Sequence, residues 1–163
     1  MILKLVLNNY IKCMQKMRRS RNKKPKTRSQ MMQAVHSKDT GPELIVRKAL
    51  FGRGFRYRLH QRGLPGTPDI FVLKYNVVIF INGCFWHQHG CKFTTRPKSN
   101  SDFWNNKFAN NSVRDIKTHW KLSVEGYRVA TVWECSLMNK ETQCRTMELL
   151  MSFIKSDEES TEI

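Results

Sequence analysis

Cys84, His89 and Cys91 stand close together in the chain, and Cys135 lies far downstream. Three thiolates and one imidazole are the donor set of a closed tetrahedral zinc site, which leaves no position for water and so stabilises rather than catalyses. His87 is the rival imidazole, and spacing alone does not choose between the two histidines. A second chemistry is offered by Asp69. Phosphodiester hydrolysis needs a carboxylate to hold a hard cation such as magnesium, which neutralises phosphate charge and helps generate the attacking hydroxide. His87 is then the obvious general base.

These residues need a scaffold that delivers them together. Val77 to Ile81 is a short β-branched run bounded by Asn76 and Gly83, which predicts a buried strand whose end presents Asn82 to Cys91. Asp69-Ile-Phe-Val-Leu73 predicts its hairpin partner across the Lys74-Tyr-Asn76 turn, bringing Asp69 close to Asn82. Asp69 follows Pro68 at the head of its strand, which matches half of the motif found in the restriction-nuclease fold. The other half, an acid and a lysine two residues apart on the next strand, is absent, because Ile81-Asn82-Gly83 stands there.

Upstream, Thr40, Pro42 and Glu43 read as a helix start, and the helix should run from about Pro42 to Phe51 with Leu44, Ile45, Ala49 and Leu50 buried. Phe55 to Leu59 alternates apolar and basic residues like a half-buried strand. Downstream, Asp102 to Leu122 predicts a long helix, broken near Asn110-Asn111, with Phe103, Trp104, Phe108, Val113, Ile116, Trp120 and Leu122 on its apolar face. Tyr127 to Trp133 is a further strand that delivers Glu134 and Cys135, and residues 141 to 155 are a last helix. Residues 1–27 carry a basic run with Pro25 and read as a flexible arm; 28–155 read as one catalytic domain, and 156–163 as an acidic, frayed tail.

Composition narrows the partner. The 29 Lys and Arg against 13 Asp and Glu give a formal charge of +16, which points to a polyanion held through counterion release. With 26% charged and 40% hydrophobic residues the chain is globular rather than disordered. Lys4 interrupts the apolar start and no small-residue cleavage site follows, so a secretory signal is not expected. No stretch approaches the ~20 apolar residues of a membrane span. Five cysteines, three of them near histidine or in a tight pattern, fit metal binding in a reducing cytoplasm better than a disulfide framework. Phe85, Trp86 and Trp104 are expected in contact with DNA, wedged beside a weakly stacked pair, whereas Phe103 and Trp120 are expected in the core. Lys107 and Asn111, one helical turn apart, are candidate readers of base edges or phosphates.

Arg28-Ser-x-x-Met32, Leu64-Pro-Gly-x-Pro-Asp69, Phe80-x-x-Gly-Cys-Phe-Trp-His-x-His-x-Cys91, Phe103-Trp104 and Val132-Trp-Glu-Cys135 together closely resemble the very-short-patch repair (Vsr) DNA mismatch endonucleases. The resemblance implies an α/β fold, a restriction-endonuclease-like core with a central mixed β-sheet flanked by helices and a structural zinc site. It also implies nicking of one strand at a thymine mispaired with guanine, the product of 5-methylcytosine deamination. On this resemblance Asp69 and the main-chain carbonyl of Ile81 hold Mg2+, Glu43 holds metal-bound water, and His87 is the base. Cys84, His89, Cys91 and Cys135 hold structural Zn2+. Phe85, Trp86 and Trp104 insert from the major groove, and Met32 from the minor groove. It implies double-stranded DNA with a T:G mismatch as partner, mismatch-repair proteins as further partners, and a place with the nucleoid in a bacterial cytoplasm. One nick on one strand needs no two-fold symmetry, so a monomer is expected.

One departure bears on catalysis. The familiar pattern has Thr-His before Gly-Cys, and this chain has Ile81-Asn82. A carbonyl ligand survives the first change, but Asn82 can hydrogen-bond without taking a proton. The rival readings are a restriction-like nuclease of the same fold and a zinc-stabilised DNA-binding module with weakened catalysis.

Overall fold

Three consecutive strand residues, Ile70, Phe71 and Val72, are all buried, as are Val77, Val78 and Ile79. A strand alternates its side chains between two faces, so continuous burial requires a layer on each side of the sheet. The computed structural model, which describes residues 38–98 and 100–163, has those layers. Ile70, Val72, Val77 and Ile79 pack with Val46 and Leu50 of helix α1 (Gly41–Gly52) and Met147, Leu150 and Ile154 of helix α4 (Lys140–Lys155). On the opposite face Phe71, Val78 and Val129 pack with Leu122 of helix α3 (Ser101–Val124).

The sheet has five strands in the order β1-β2-β3-β4-β5: Arg58–Leu59, Ile70–Val72, Val77–Asn82, Arg128–Trp133 and Ser160–Glu162. β1, β2 and β3 are antiparallel neighbours, while β3, β4 and β5 run parallel, so the sheet is mixed. The hairpin between β2 and β3 turns through a 3-10 helix, Leu73–Tyr75, and a left-handed Asn76 (φ 52°). The parallel register sets Asn82 beside Trp133, so the two strands end level. The short helix α2 (Cys84–His87) follows β3, and a 3-10 turn, Glu134–Leu137, follows β4.

Several expectations fail, for related reasons. Of the expected face on α1, Leu50 is buried and Ile45 and Ala49 are partly buried against the core, but Leu44 is exposed, and Glu43, Val46 and Arg47 complete the inward stripe. Two charged residues occupy core-facing positions, and their pairing with each other makes that tolerable. Likewise α3 buries Phe108 and Leu122, while Phe103, Ile116 and Trp120 are 58%, 67% and 65% exposed. The core role expected for Phe103 and Trp120 is therefore wrong. The same helix is unbroken at Asn110-Asn111, because the Asn111 amide donates to the Trp86 carbonyl at 2.9 Å and the low helix propensity of asparagine costs only some tenths of a kcal/mol. Strand β1 is confined to Arg58–Leu59.

The frayed tail is also corrected. Gly41–Ile163 forms one compact unit, and its last residues complete the sheet. The Ile163 amide donates to Thr131 at 2.9 Å and the Trp133 amide donates to Ile163 at 2.8 Å. Backbone pairing with β4 satisfies this acidic segment regardless of its side chains. Met32 and the basic arm 1–27 lie outside the described residues.

Candidate active site and metal centre

Because β3 and β4 end side by side, the turns that follow them meet. Cys84 opens α2 after β3, and Cys135 sits in the 3-10 turn after β4. His89 and Cys91 come from the loop beyond α2, where a left-handed Gln88 (φ 50°) reverses the chain. The donor atoms of Cys84, His89, Cys91 and Cys135 all lie within 4.8 Å of one another. His89 Nδ1 is 3.7 Å from Cys84 Sγ and 3.4 Å from Cys135 Sγ, and the three cysteines are free thiols. The His89 ring stacks on Trp133 with centroids 4.1 Å apart and planes 7° from parallel, which fixes its orientation.

This set fits a tetrahedral divalent cation. Burial pushes the Cys84 thiol up to about 12 and raises Cys135 as well. At Cys91 desolvation also raises the pKa, but the Phe93 amide, His89, Thr94 and Cys84 outweigh it and hold the thiol at about 6. Three thiols that must divide protons among themselves become three thiolates when one cation satisfies them together. His87, the rival ligand, is elsewhere: its Nδ1 donates to Asp115 Oδ2 of α3 at 2.5 Å.

The second centre lies where β2 begins. The Ile81 amide donates to Asp69 Oδ2 at 2.8 Å, so Asp69 meets the end of β3. Burial raises the Asp69 pKa to about 6; the Ile81 hydrogen bond lowers it, Glu43 raises it again, and His60 and Arg47 lower it. Glu43 is 3% exposed and accepts from Arg47 Nη2 at 2.6 Å; Arg47 is 6% exposed. Arg47 Nη2 also lies 2.9 Å from His60 Nε2. Guanidinium only donates, so His60 Nε2 is an acceptor there. A half-buried carboxylate whose ionisation is opposed by its surroundings, with a second carboxylate nearby, fits a hard cation that would favour the charged form.

Aromatic rings form the third component. Phe85 stands 5.0 Å from Trp86, 5.4 Å from Trp104 and 5.4 Å from Phe108 between centroids, each pair edge-on. Lys107 Nζ lies 5.6 Å from the Trp86 centroid and 5.9 Å from that of Phe103. Phe85 and Trp86 belong to the same short helix as His87, so ring cluster and imidazole are rigidly linked. Asn111 commits its amide nitrogen to Trp86.

Sequence patterns missed Asp115, His60, Arg47 and Trp133. His119 was missed too; it stacks on Phe80 (5.6 Å, 28°) one turn beyond Asp115, and burial lowers its pKa. Its spacing of four from Asp115 was the available signal. The others take their meaning from tertiary neighbours.

The sequence profile described as DNA mismatch endonuclease Vsr matches residues 20–93. The chain is 47% identical over 128 residues to the type II nicking enzyme V.NmeAIP of Neisseria meningitidis, covering 78% of this chain and 91% of that protein. It is 40% identical over 115 residues to the DNA mismatch endonuclease Vsr of Escherichia coli, covering 71% of this chain and 74% of that protein. The chain belongs to the Vsr family. It is a DNA endonuclease, a hydrolase of phosphodiester bonds. The Vsr family implies the restriction-endonuclease-like form of the mixed sheet and its flanking helices. Likeness to the type II nicking enzyme V.XorIIP of Xanthomonas oryzae, at 48% over 113 residues, points the same way. Among the described residues no helix is long and apolar enough to cross a membrane.

Proposed function

We propose that this Vsr-family enzyme nicks one strand of duplex DNA at the thymine of a T:G mismatch, using magnesium at Asp69 and a structural zinc at Cys84, His89, Cys91 and Cys135. The observation that carries the reading is the junction of ring cluster and imidazole: Phe85 and Trp86 immediately precede His87, which is paired to Asp115. A wobble pair unstacks at lower cost than a matched pair, so rings wedged beside it favour binding there. The same short helix then sets His87 against the adjacent phosphate.

Asp69 and the Ile81 carbonyl are the residues that would hold magnesium, with Glu43 holding its water. Bound there, the ion supplies charge neutralisation on the phosphate and a more acidic water. Asp115 fixes the His87 ring and occupies Nδ1, which leaves Nε2 to take the proton from the attacking water. Arg47 holds the Glu43 carboxylate in place. Asn82, whose amide cannot take a proton, leaves this task to His87 alone. The enzyme acts as a monomer, since one nick needs one site.

Two end-labelled duplexes test the reading, one fully paired and one carrying a single T:G mismatch in a cytosine-methylation context, each incubated with enzyme and magnesium. A nick confined to the mismatched thymine and abolished by EDTA is expected. Equal cutting of both duplexes makes the enzyme restriction-like. Binding without cutting, with activity gained by Asn82→His, makes it a weakened nuclease. Trp86→Ala is expected to lose roughly tenfold in preference for the mismatch, on the scale of ~1–3 kcal/mol per stacked base, with smaller loss on paired duplex.

A further inference from the structure

The exposed face of α3 carries a charge pattern that the two metal centres and the ring cluster do not use. Asn110, Arg114, Lys117 and Lys121 recur at spacings of four, three and four, which puts them on one face of the helix. Opposite them the Gly63–Pro68 turn closes a hollow of about 380 Å³, walled by Pro65 and Gly66. Gly66 has φ +73°, and a Cβ there would fall 2.3 Å from Thr118 Cγ2, so the bare turn backs directly onto the helix. Among the described residues no carboxylate lines the hollow. Among the described residues neither Lys117 nor Lys121 has an ion-pair partner, and Arg114 reaches only Asp115, at 3.7 Å.

The helix thus has two working sides. Asp115 turns inward to His87, while Arg114 and Lys117 beside it line the outer trough. A second hollow, lined by Phe103, Asn106, Lys107, Asn110 and Asn111, shares Asn110 with the first, so the trough continues toward the ring cluster. Seven residues separate Arg114 from Lys121, about 10 Å of helix at 1.5 Å each, roughly the rise of three base pairs.

We infer that this face of α3, together with the Gly63–Pro68 turn, is a backbone-binding track that holds successive phosphates of duplex DNA beside the Asp69 centre. The inference rests on the proposed reading of the enzyme as acting on duplex DNA. The track positions the duplex and reads no bases, because lysine and arginine on phosphates carry no sequence information. It therefore contributes equally to paired and mismatched DNA.

The test is the salt dependence of binding to a fully paired duplex, measured by fluorescence anisotropy for the unaltered enzyme and for Lys117→Ala/Lys121→Ala. A charge-matched control, Lys140→Ala/Arg145→Ala on α4, removes two exposed cations elsewhere. The track variant is expected to bind about tenfold or more weakly at ~100 mM salt, with the slope of log K against log salt reduced by about 1.8, or ~0.9 for each phosphate no longer neutralised. The control pair is expected to change affinity by less than about twofold. Equal losses in both pairs, or an unchanged slope in the track variant, overturn the track. Paired-duplex binding by the unaltered enzyme without nicking of the T:G duplex overturns the mismatch reading instead, while the slopes still decide the track.

Discussion

The cysteine and histidine cluster and the Asp69 centre are built at neighbouring strand ends by opposite means. The cluster takes its four donors from two turns that follow parallel strands, and it is complete in itself. The Asp69 centre draws on β2, β3, α1 and the loop after β1, and in the proposed reading it works with the His87–Asp115 pair of α2 and α3. The Asp69 carboxyl is held in a medium that opposes its charge. A closed donor set stabilises and an open one reacts, so the difference in construction predicts a difference in what each loss does.

The largest expected effect is on chemistry. Asp69→Ala is expected to reduce nicking by at least about 10³-fold, on the scale of transition-state charge stabilisation worth several kcal/mol, while DNA affinity and thermal stability change little; a quench-flow or gel assay beside anisotropy reads both. Cys135→Ala should do the reverse. Losing one ligand of a structural zinc is expected to lower the melting temperature by on the order of 10 °C, as several kcal/mol of folding energy go with the metal. Activity per folded molecule should persist. If Cys135→Ala melted like the parent but had lost its nicking, the division between the two regions would be wrong.

A smaller effect sharpens the active side. Asp115→Asn is expected to lower kcat by ~10²-fold or more with KM nearly unchanged, because the base loses its orienting carboxylate. Weakened binding with intact turnover would make the pair structural. The pH profile tests the same centre. Asp69 is raised to about 6, so its protonated form dominates below that pH and cannot hold a cation. At subsaturating magnesium, nicking should fall about tenfold per pH unit below about 6, and higher magnesium should move the fall to lower pH. The sign for folding is opposite. A carboxyl raised from 3.8 contributes stability that is full below 3.8 and is lost as pH rises through about 6.

The two regions also differed in how far the sequence disclosed them. Cysteines are rare and their strand-end positions follow from local runs, so the three thiol donors are readable in the sequence, while the choice of His89 over His87 rests on the resemblance. The β2 and β3 runs were equally legible, since Ile70 to Val72 and Val77 to Ile79 are buried on both faces. The active side hid in the helices. On α1 the inward positions belong to Glu43 and Arg47, and on α3 Asn111 and Asp115 face the site, so polar residues interrupt the apolar period on the faces that matter. Phe103 and Trp120 completed a false stripe because hydrophobic residues that serve a surface look like core. Asp115 was invisible for a simpler reason: its partner, His87, is brought to it only by the packing of α2 against α3.

Metal dependence after chelation is the sharpest test of the division between a stabilising and a reacting centre. Protein dialysed against EDTA and then freed of chelator would be analysed for zinc by mass spectrometry and assayed for nicking of a T:G duplex with magnesium alone. About one zinc is expected to remain per chain, with full recovery of nicking on magnesium addition. Protein that retains zinc yet stays inert with magnesium, or that loses zinc with an unchanged melting temperature and recovers nicking only when zinc is added, would contradict that division and make the cysteine and histidine cluster part of the reaction.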